Sequence, residues 1–476
     1  MPQRIEIGRD AVKRAEPLPV FRLQPLNFAL QTFQRQTSHF ILPYVRLQTF
    51  TAVLLHPARL LLLVAFLFAI LNTANALNKG GDAAVFFEGG RRFLHAEPLY
   101  EGSSAADGFI GPPFQAMFFA PFAAVAAGSP VAAKLLWHAF SLVCFGWSVW
   151  LSVRTWDAVR GRIGVPDRAW IPTIFAPLFA ILLPLQTNFE HQNMNAVLLA
   201  LLAGATWQLT LGSAAVAGLL IGTATALKAF PAILILYFAA RRYWTAAIVA
   251  TASAVVLTVA VPVAVYGGAA FSALVSDFWR LGNSGWPIRG NNQSLVAAVD
   301  RLTIFLLGTG VDRSGVRVPD DATLATGLFF GIAILLIGAL AVALWRTARD
   351  NASIPLEVAA VTTLAILLSP IAWDHYWTMM FPAFLILYDS NADTLLGRAG
   401  RYAFWTAAIL TTGLSPLTLG RTGFNTARDL SVYTIAALIV FASLLVVCAR
   451  ASRGQPVAQP RPSWKPSDKQ SDGSSR

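Results

Sequence analysis

The sequence predicts an all-α, polytopic helical membrane protein, on three observations. Only 13% of its 476 residues are charged while 56% are hydrophobic, against roughly a quarter charged in an ordinary soluble domain. Several apolar runs reach the ~20 residues that a helix needs to cross the hydrocarbon core. The lysines and arginines, which bring the net charge to +12, stand beside those runs. That distribution fits membrane topology and anionic lipid better than nucleic acid. Cys144 and Cys448 each fall inside an apolar run, so neither a disulfide framework nor a cysteine metal site is indicated.

Residues 1–55 mix Arg4, Arg9, Lys13, Arg14, Arg22, Arg35 and Arg46 with polar residues. They predict a basic cytoplasmic arm without a cleavable signal, so that the first span targets the chain. Residues 56–449 form the integral membrane domain, with spans expected at 60–77, 131–152, 169–187, 192–207, 244–266, 322–346, 354–370, 376–390, 402–416 and 430–449. Residues 450–476, rich in Pro, Ser, Lys and Gln, predict a disordered basic cytoplasmic tail.

Two apolar pieces are expected not to cross. A single helix over 213–240 would bury Lys228 near its middle, at ~2.5–3.5 kcal/mol or more if unpaired, and Pro231 breaks the helix just beyond. The reading is two short helices, 213–227 and 231–240, which return to their starting side. Residues 112–128 are likewise too short for a comfortable span. With the N-terminus cytoplasmic, counting then places Arg154, Arg160, Arg162, Arg168, Arg241, Arg242, Arg346, Arg349, Arg398 and Arg401 inside. It places Asp82, His191-Gln192, Lys228, the Gly-Asn-Asn-Gln-Ser loop and Trp373-Asp374-His375-Tyr376 outside, where they converge on one site. The long loop 267–321 carries Arg280, Arg289, Arg301, Arg313 and Arg317 outside, as long loops can.

Asp82 reads either as a helix N-cap or as a general base beside the membrane surface. Lys228, at a broken intramembrane helix, calls for an anionic partner such as phosphate, or else snorkels to the interface. Arg289 and the amides of Asn291, Asn292 and Gln293 offer hydrogen bonds to phosphate or sugar hydroxyls, or belong to an ordinary loop. His191, Gln192, Asn193 and Asn195 line the site or cap a helix. His375 is a phosphate donor, a proton carrier or a satisfied buried histidine. Trp373 with Tyr376 and Trp377 forms an interfacial belt or a sugar-stacking face. No carboxylate or histidine spacing requires a metal.

In order along the chain, these clusters resemble glycosyltransferase family 87, the polyprenyl-phosphate-mannose-dependent α-mannosyltransferases of bacteria. Asp82, Phe86, Gly89 or Gly90 and Pro98-Leu99-Tyr100 are similar to the family's first outer loop. Phe109-Ile110-Gly111-Pro112-Pro113 with Pro121 resembles its Tyr-x-Pro-Pro segment, with the tyrosine replaced. His191-Gln192-Asn193-Met194-Asn195 resembles its Gly-Gln-x-Asn, and Lys228, Pro231 and Arg241-Arg242 its Lys-x-x-Pro and arginine pair. Gly290-Asn291-Asn292-Gln293-Ser294 resembles Gly-Asn-Gln-Ser with one added Asn. Ser369, Pro370, Trp373 and His375 resemble Ser-Pro-x-x-Trp-x-His-His, with Tyr376 in place of the second His.

The resemblance covers about residues 60–390. It implies a type C multi-span bundle of about 10–13 membrane helices with an extracytoplasmic first loop, in the inner membrane of a bacterium with both termini cytoplasmic. It implies an inverting transfer of mannose from a polyprenyl-phosphate donor to an envelope glycolipid or polysaccharide, with no cofactor. Asp82 would act as base, and Lys228, His375, Gln192, His191, Asn292, Gln293, Arg289 and Trp373 would hold donor phosphate and sugar. A lipid or solute transporter and a non-catalytic envelope scaffold are the alternatives.

Overall fold

The structure, a computed structural model, describes residues 57–79, 81–104, 108–161, 170–283, 285–307, 323–390 and 397–451. The expected N-terminal arm and nearly all of the tail lie outside these, as do Asp107, Arg162, Arg168, Arg313 and Arg317. The chain divides into two units, Met1–Val64 and Ala65–Arg476. Of the first, only the opening turns of helix α1 (Pro57–Asn78) are described; everything below concerns the second. All its regular elements among the described residues are helical.

Four helices are long and apolar enough to cross a bilayer, at Pro130–Val159, Trp244–Tyr266, Leu324–Arg346 and Val432–Arg450. Between them run shorter apolar helices, and these carry the polar clusters. Helix α2 (Gly81–Leu94) packs against α3 (Pro113–Gly128), and α4 (Pro130–Val159) follows. Both ends of α3 lie at the same end of the molecule. Pro112 and Gln115 line the main cavity at one terminus. Just beyond the other, Lys134 donates to the carbonyl of Lys79, which also lines that cavity. At 16 residues α3 is shorter than the ~20 of a full span.

The expected span at 169–187 is broken into α5 (Trp170–Ala180) and α6 (Leu182–Glu190). Pro184 has no N–H to offer the carbonyl of Ala180. Thr411 and Thr412 take over that carbonyl at 2.5 and 3.3 Å, so a second helix repairs the break.

Helix α7 (Asn195–Thr210) is followed by α8 (Ala214–Leu227), a 3-10 turn at Phe230–Ala232 and α9 (Ile233–Ala240), the hairpin expected from Lys228 and Pro231. Its return is visible in the next helix, α10 (Trp244–Val255). Gly218 faces Ala246 and Gly222 faces Ala250, so α8 and α10 run parallel. A Cβ on either glycine would lie 2.5 Å from the facing carbonyl oxygen. This is the small-xxx-small contact by which membrane helices approach closely.

A π-helical turn (Val256–Ala260) and α11 (Val261–Tyr266) complete that span. Helices α12 (Gly268–Asn283) and α13 (Leu295–Leu307) fold within the long loop. Helices α14 (Thr323–Arg346) and α15 (Ile354–Leu368) follow, then a 3-10 helix over Asp374–Met380 that leads into α16 (Phe381–Ser390). Helix α17 (Gly397–Ala408) ends in a π-helical turn. Next comes α18 (Pro416–Asp429), kinked where Gly420 adopts φ +67°, and last α19 (Val432–Ala451). No helix was expected over 416–429, where the sequence is too polar for a span.

Trp373 and Asn292 are joined by a single antiparallel bridge. A small second core of Leu99, Tyr100, Phe109, Ala116, Leu274 and Leu281 ties the first loop to α12, and Tyr100 donates to the carbonyl of Gly111 at 2.9 Å. On the outer face of α2, Glu88 bonds Arg91 and Arg92 at 2.9 Å, and Arg91 also bonds Glu97 at 2.7 Å. Those hydrogen bonds, Arg91's first, hold the Glu88 carboxyl down to about 2 against the opposing effect of partial burial.

Candidate functional site

At the end of the bundle where α6 and α8 finish and α7 begins, a cavity of about 1240 Å3 opens. The helices around its floor are short. At 1.5 Å per residue, α7, α8 and α15, with 16, 14 and 15 residues, are well under the ~30 Å of a hydrocarbon core. By length, the floor is sunk below the membrane surface.

Asp82 stands in the first turn of α2. Gly81 before it adopts φ +53°, and a Cβ there would meet the His191 carbonyl oxygen at 2.7 Å. The glycine thus admits the close approach in which the Asp82 N–H donates to that carbonyl at 2.8 Å. The carboxylate does not close its own helix: Oδ2 accepts from Asn193 Nδ2 at 2.6 Å and lies 3.9 Å from His375 Nε2.

Lys228 ends α8 in an extended conformation. Its Nζ donates to Asn195 Oδ1 at 3.3 Å and lies 3.7 Å from the centre of the Tyr376 ring. An aromatic face can hold an ammonium in a desolvated place, which gives Tyr376 a purpose where the family pattern has a second histidine. Asn195 Nδ2 donates to the His375 carbonyl at 3.2 Å, linking the two sides. Asp374 lies 3.7 Å from His375 Nδ1 and accepts from Arg428 Nη2 at 2.8 Å. A chain of contacts therefore runs Asp82, His375, Asp374, Arg428.

Of the expected site residues, Asp82, His191, Lys228, Arg289, Trp373 and His375 line the cavity. The other three lie behind its wall. Gln192 gives its carbonyl to the Trp137 indole at 2.7 Å and its amide to the Lys134 carbonyl at 3.1 Å. Asn292 donates to the carbonyls of Pro287 and Pro370 and accepts from the N–H groups of Ser294 and Ala372. Gln293 donates to the carbonyls of Gly290 and Arg428 and accepts from Tyr433 N–H. Both side chains are wholly buried, so the expected ligand contacts give way to holding the Gly-Asn-Asn-Gln-Ser loop against the Ser369–Asp374 segment and α18. From that loop it is Asn291 that reaches the cavity.

Sequence reasoning missed Gln115, Arg421, Asn425 and Arg428, which also line the cavity. The last three sit on α18. Their i, i+4, i+7 spacing was legible only once that stretch was taken as a helix. Beside them Glu190, also at the cavity, accepts from Lys79 at 2.5 Å and from Gln186 and Asn75.

Four polar atoms at this wall are buried with no hydrogen-bond partner: His375 Nε2, Asn193 Oδ1, Asn291 Oδ1 and Arg428 Nε. Native proteins pair such atoms almost everywhere. They are four of fifteen such atoms among the described residues, and these four belong to residues that line the cavity. Among the described residues no cluster of three or more His, Cys, Asp or Glu has metal-holding geometry.

Fold and site together define a polytopic membrane enzyme whose polar cavity, sunk into the bilayer end of the bundle, suits a lipid-borne substrate. The chain belongs to glycosyltransferase family 87, which it matches over residues 109–370, and it is thus an integral membrane glycosyltransferase. It is similar to a polyprenol-phosphate-mannose-dependent alpha-(1-2)-phosphatidylinositol mannoside mannosyltransferase of Mycobacterium tuberculosis, at 28% identity over 64% of this chain and 69% of that protein. It is similar to one of the same description from Mycolicibacterium smegmatis, at 27% identity over 71% and 76%. A phosphatidylinositol pentamannoside mannosyltransferase of M. smegmatis is 28% identical over 61% and 63%. No solved structure matches the chain.

Proposed function

We propose that the protein transfers mannose from polyprenyl-phosphate mannose to a glycolipid hydroxyl on the extracytoplasmic face of the inner membrane, with both termini cytoplasmic. The observation that carries this reading is the meeting in one cavity of a half-exposed carboxylate, Asp82, with Lys228 and His375. The names of the similar proteins support the donor and the glycolipid class of acceptor. The orientation rests on Arg241, Arg346 and Arg450, which stand at the C-terminal ends of α9, α14 and α19.

In the proposed reaction the acceptor hydroxyl attacks the anomeric carbon and its proton passes to Asp82. Asn193 fixes the carboxylate, and His375 Nε2 stands 3.9 Å from it. The glycosidic C–O bond to phosphate breaks as the new one forms on the opposite face of the sugar, so configuration inverts. The departing lipid phosphate carries the charge that Lys228 stabilises. A fixed cation in a poorly hydrated site is worth a few kcal/mol of barrier, and a positioned base about 10²–10⁴-fold.

The test is transfer from radiolabelled polyprenyl-phosphate mannose to extracted glycolipid by purified protein. Asp82→Asn, shown to be folded by its melting temperature, should lose about 10²–10⁴-fold in kcat. Near-normal turnover by that variant removes Asp82 as the base.

A further inference from the structure

The cavity has a second cationic wall, distinct from the Lys228 floor. Helix α18 turns sharply at Gly420, and beyond the kink Arg421, Asn425 and Arg428 fall at i, i+4 and i+7, on one helical face. All three line the cavity together with Phe424. The two ends of this stretch differ. Arg428 is held inward: it pairs with Asp374 at 2.8 Å, lies 5.2 Å from the centre of the Phe424 ring, and gives its carbonyl to Gln293. Arg421 is exposed. On the other side of the kink, Leu417 is 98% exposed and Leu419 is also solvent-facing, as suits a segment whose apolar side chains enter the bilayer interface.

We infer that Arg421 and Asn425 form a station for the phosphodiester of an anionic lipid acceptor at the cavity rim; this rests on the proposed transfer reaction. Both of its substrates could bring a lipid phosphate, and geometry separates them. The donor phosphate is bonded to the anomeric carbon, which the attacking hydroxyl must approach to about 3–3.5 Å, so that phosphate belongs near Asp82 and Lys228. Arg421 lies seven residues from Arg428, about 10 Å along the helix, and between Arg428 and Asp82 stand both Asp374 and His375. Arg421 thus stands outside the contact chain of Asp82, His375, Asp374 and Arg428, and an anion there is assigned to the acceptor rather than to the leaving group. It suits a phosphate separated from the reacting hydroxyl by a sugar, with guanidinium and amide donating to its oxygens and Leu417 and Leu419 at the depth of the lipid's chains.

The test reads binding to the purified full-length protein in neutral detergent, without turnover. The probes are a short-chain phosphatidylinositol, an uncharged short-chain mannosyl diacylglycerol and a short-chain polyprenyl phosphate. Arg421→Gln removes a charge-assisted hydrogen bond and should weaken phosphatidylinositol binding about tenfold, while shifting the other two less than twofold. Asn425→Ala should weaken phosphatidylinositol by a smaller factor, and Arg421→Lys should recover most of the binding. The inference is overturned if the weakening falls on polyprenyl phosphate, if charged and neutral lipids weaken equally, or if neither changes. Since binding is read without transfer, a wild type that moved no mannose would sink the proposed reaction while leaving this station in place.

Discussion

Lys228 and Arg241 mark the two ends of one short hairpin arm, and their surroundings differ in kind. Arg241, 5% exposed, pairs with the wholly buried Glu357 at 2.9 Å and donates to the carbonyls of Leu344, Thr347 and Ala348. Tyr237 donates to the other oxygen of Glu357 at 2.9 Å. Protein groups alone surround that cation, and they pin α9 to α14 and α15. Lys228 has one amide oxygen at 3.3 Å and an aromatic face, and it opens on a cavity. A buried charge enclosed by its own chain holds a fold together. One left short of partners beside a cavity is placed for a ligand.

The contrast can be broken from either side. Glu357→Ala, which strands the Arg241 charge, should cost the most stability, about 3–5 kcal/mol. Its measured sign is a steep fall in melting temperature, with transfer disappearing only as the fold does. Lys228→Ala should do the reverse: transfer falls about 10²–10³-fold while the melting temperature scarcely moves. If Lys228→Ala melts as early as Glu357→Ala, the two cations are alike and the distinction fails.

Asn292→Ala sharpens the comparison further. It leaves the Pro287 carbonyl and the N–H groups of Ser294 and Ala372 unpaired, at about 1–3 kcal/mol each where they stay buried, while Pro370 keeps the Ser294 hydroxyl. It should lower stability and leave the KM for donor in the surviving folded fraction unchanged; a raised donor KM would return that amide to the ligand. The smallest effect belongs to Glu88, whose carboxyl is depressed by Arg91 and is 42% exposed. A group with a lowered folded pKa stabilises above its unfolded value and loses that contribution as pH falls through the folded one. The stability gap between wild type and Glu88→Gln should thus be under about 1 kcal/mol near neutrality and close between about pH 4.3 and about 2.

Much of this was legible in the sequence because burying a charge in hydrocarbon is costly. Lys228 with Pro231 announced the hairpin, and the parallel course of α8 and α10 bears it out. Apolar length found the long spans. Two things escaped. The break at Ala180 comes from Pro184, but the repair of its carbonyl comes from Thr411, over 200 residues away, and no local signal reports a repair made by another helix. Helix α18 has neither the length nor the hydropathy of a span, so its polar face read as loop, and Arg421, Asn425 and Arg428 went with it. Short motifs also failed to show which amide faces inward. Asn291 and Asn292 are neighbours of one type, and only the bonds to Pro287, Pro370 and Ala372 separate the residue that frames the site from the one that meets it.

The most direct measurement is the rise in melting temperature on adding polyprenyl-phosphate mannose to protein that binds without turning over. Asp82→Asn should be stabilised by the donor in a concentration-dependent way, and the Asp82→Asn, Lys228→Ala double variant should show little or no rise. An undiminished rise in the double variant would mean that Lys228 does not hold the donor, and that its exposure to the cavity has some other cause.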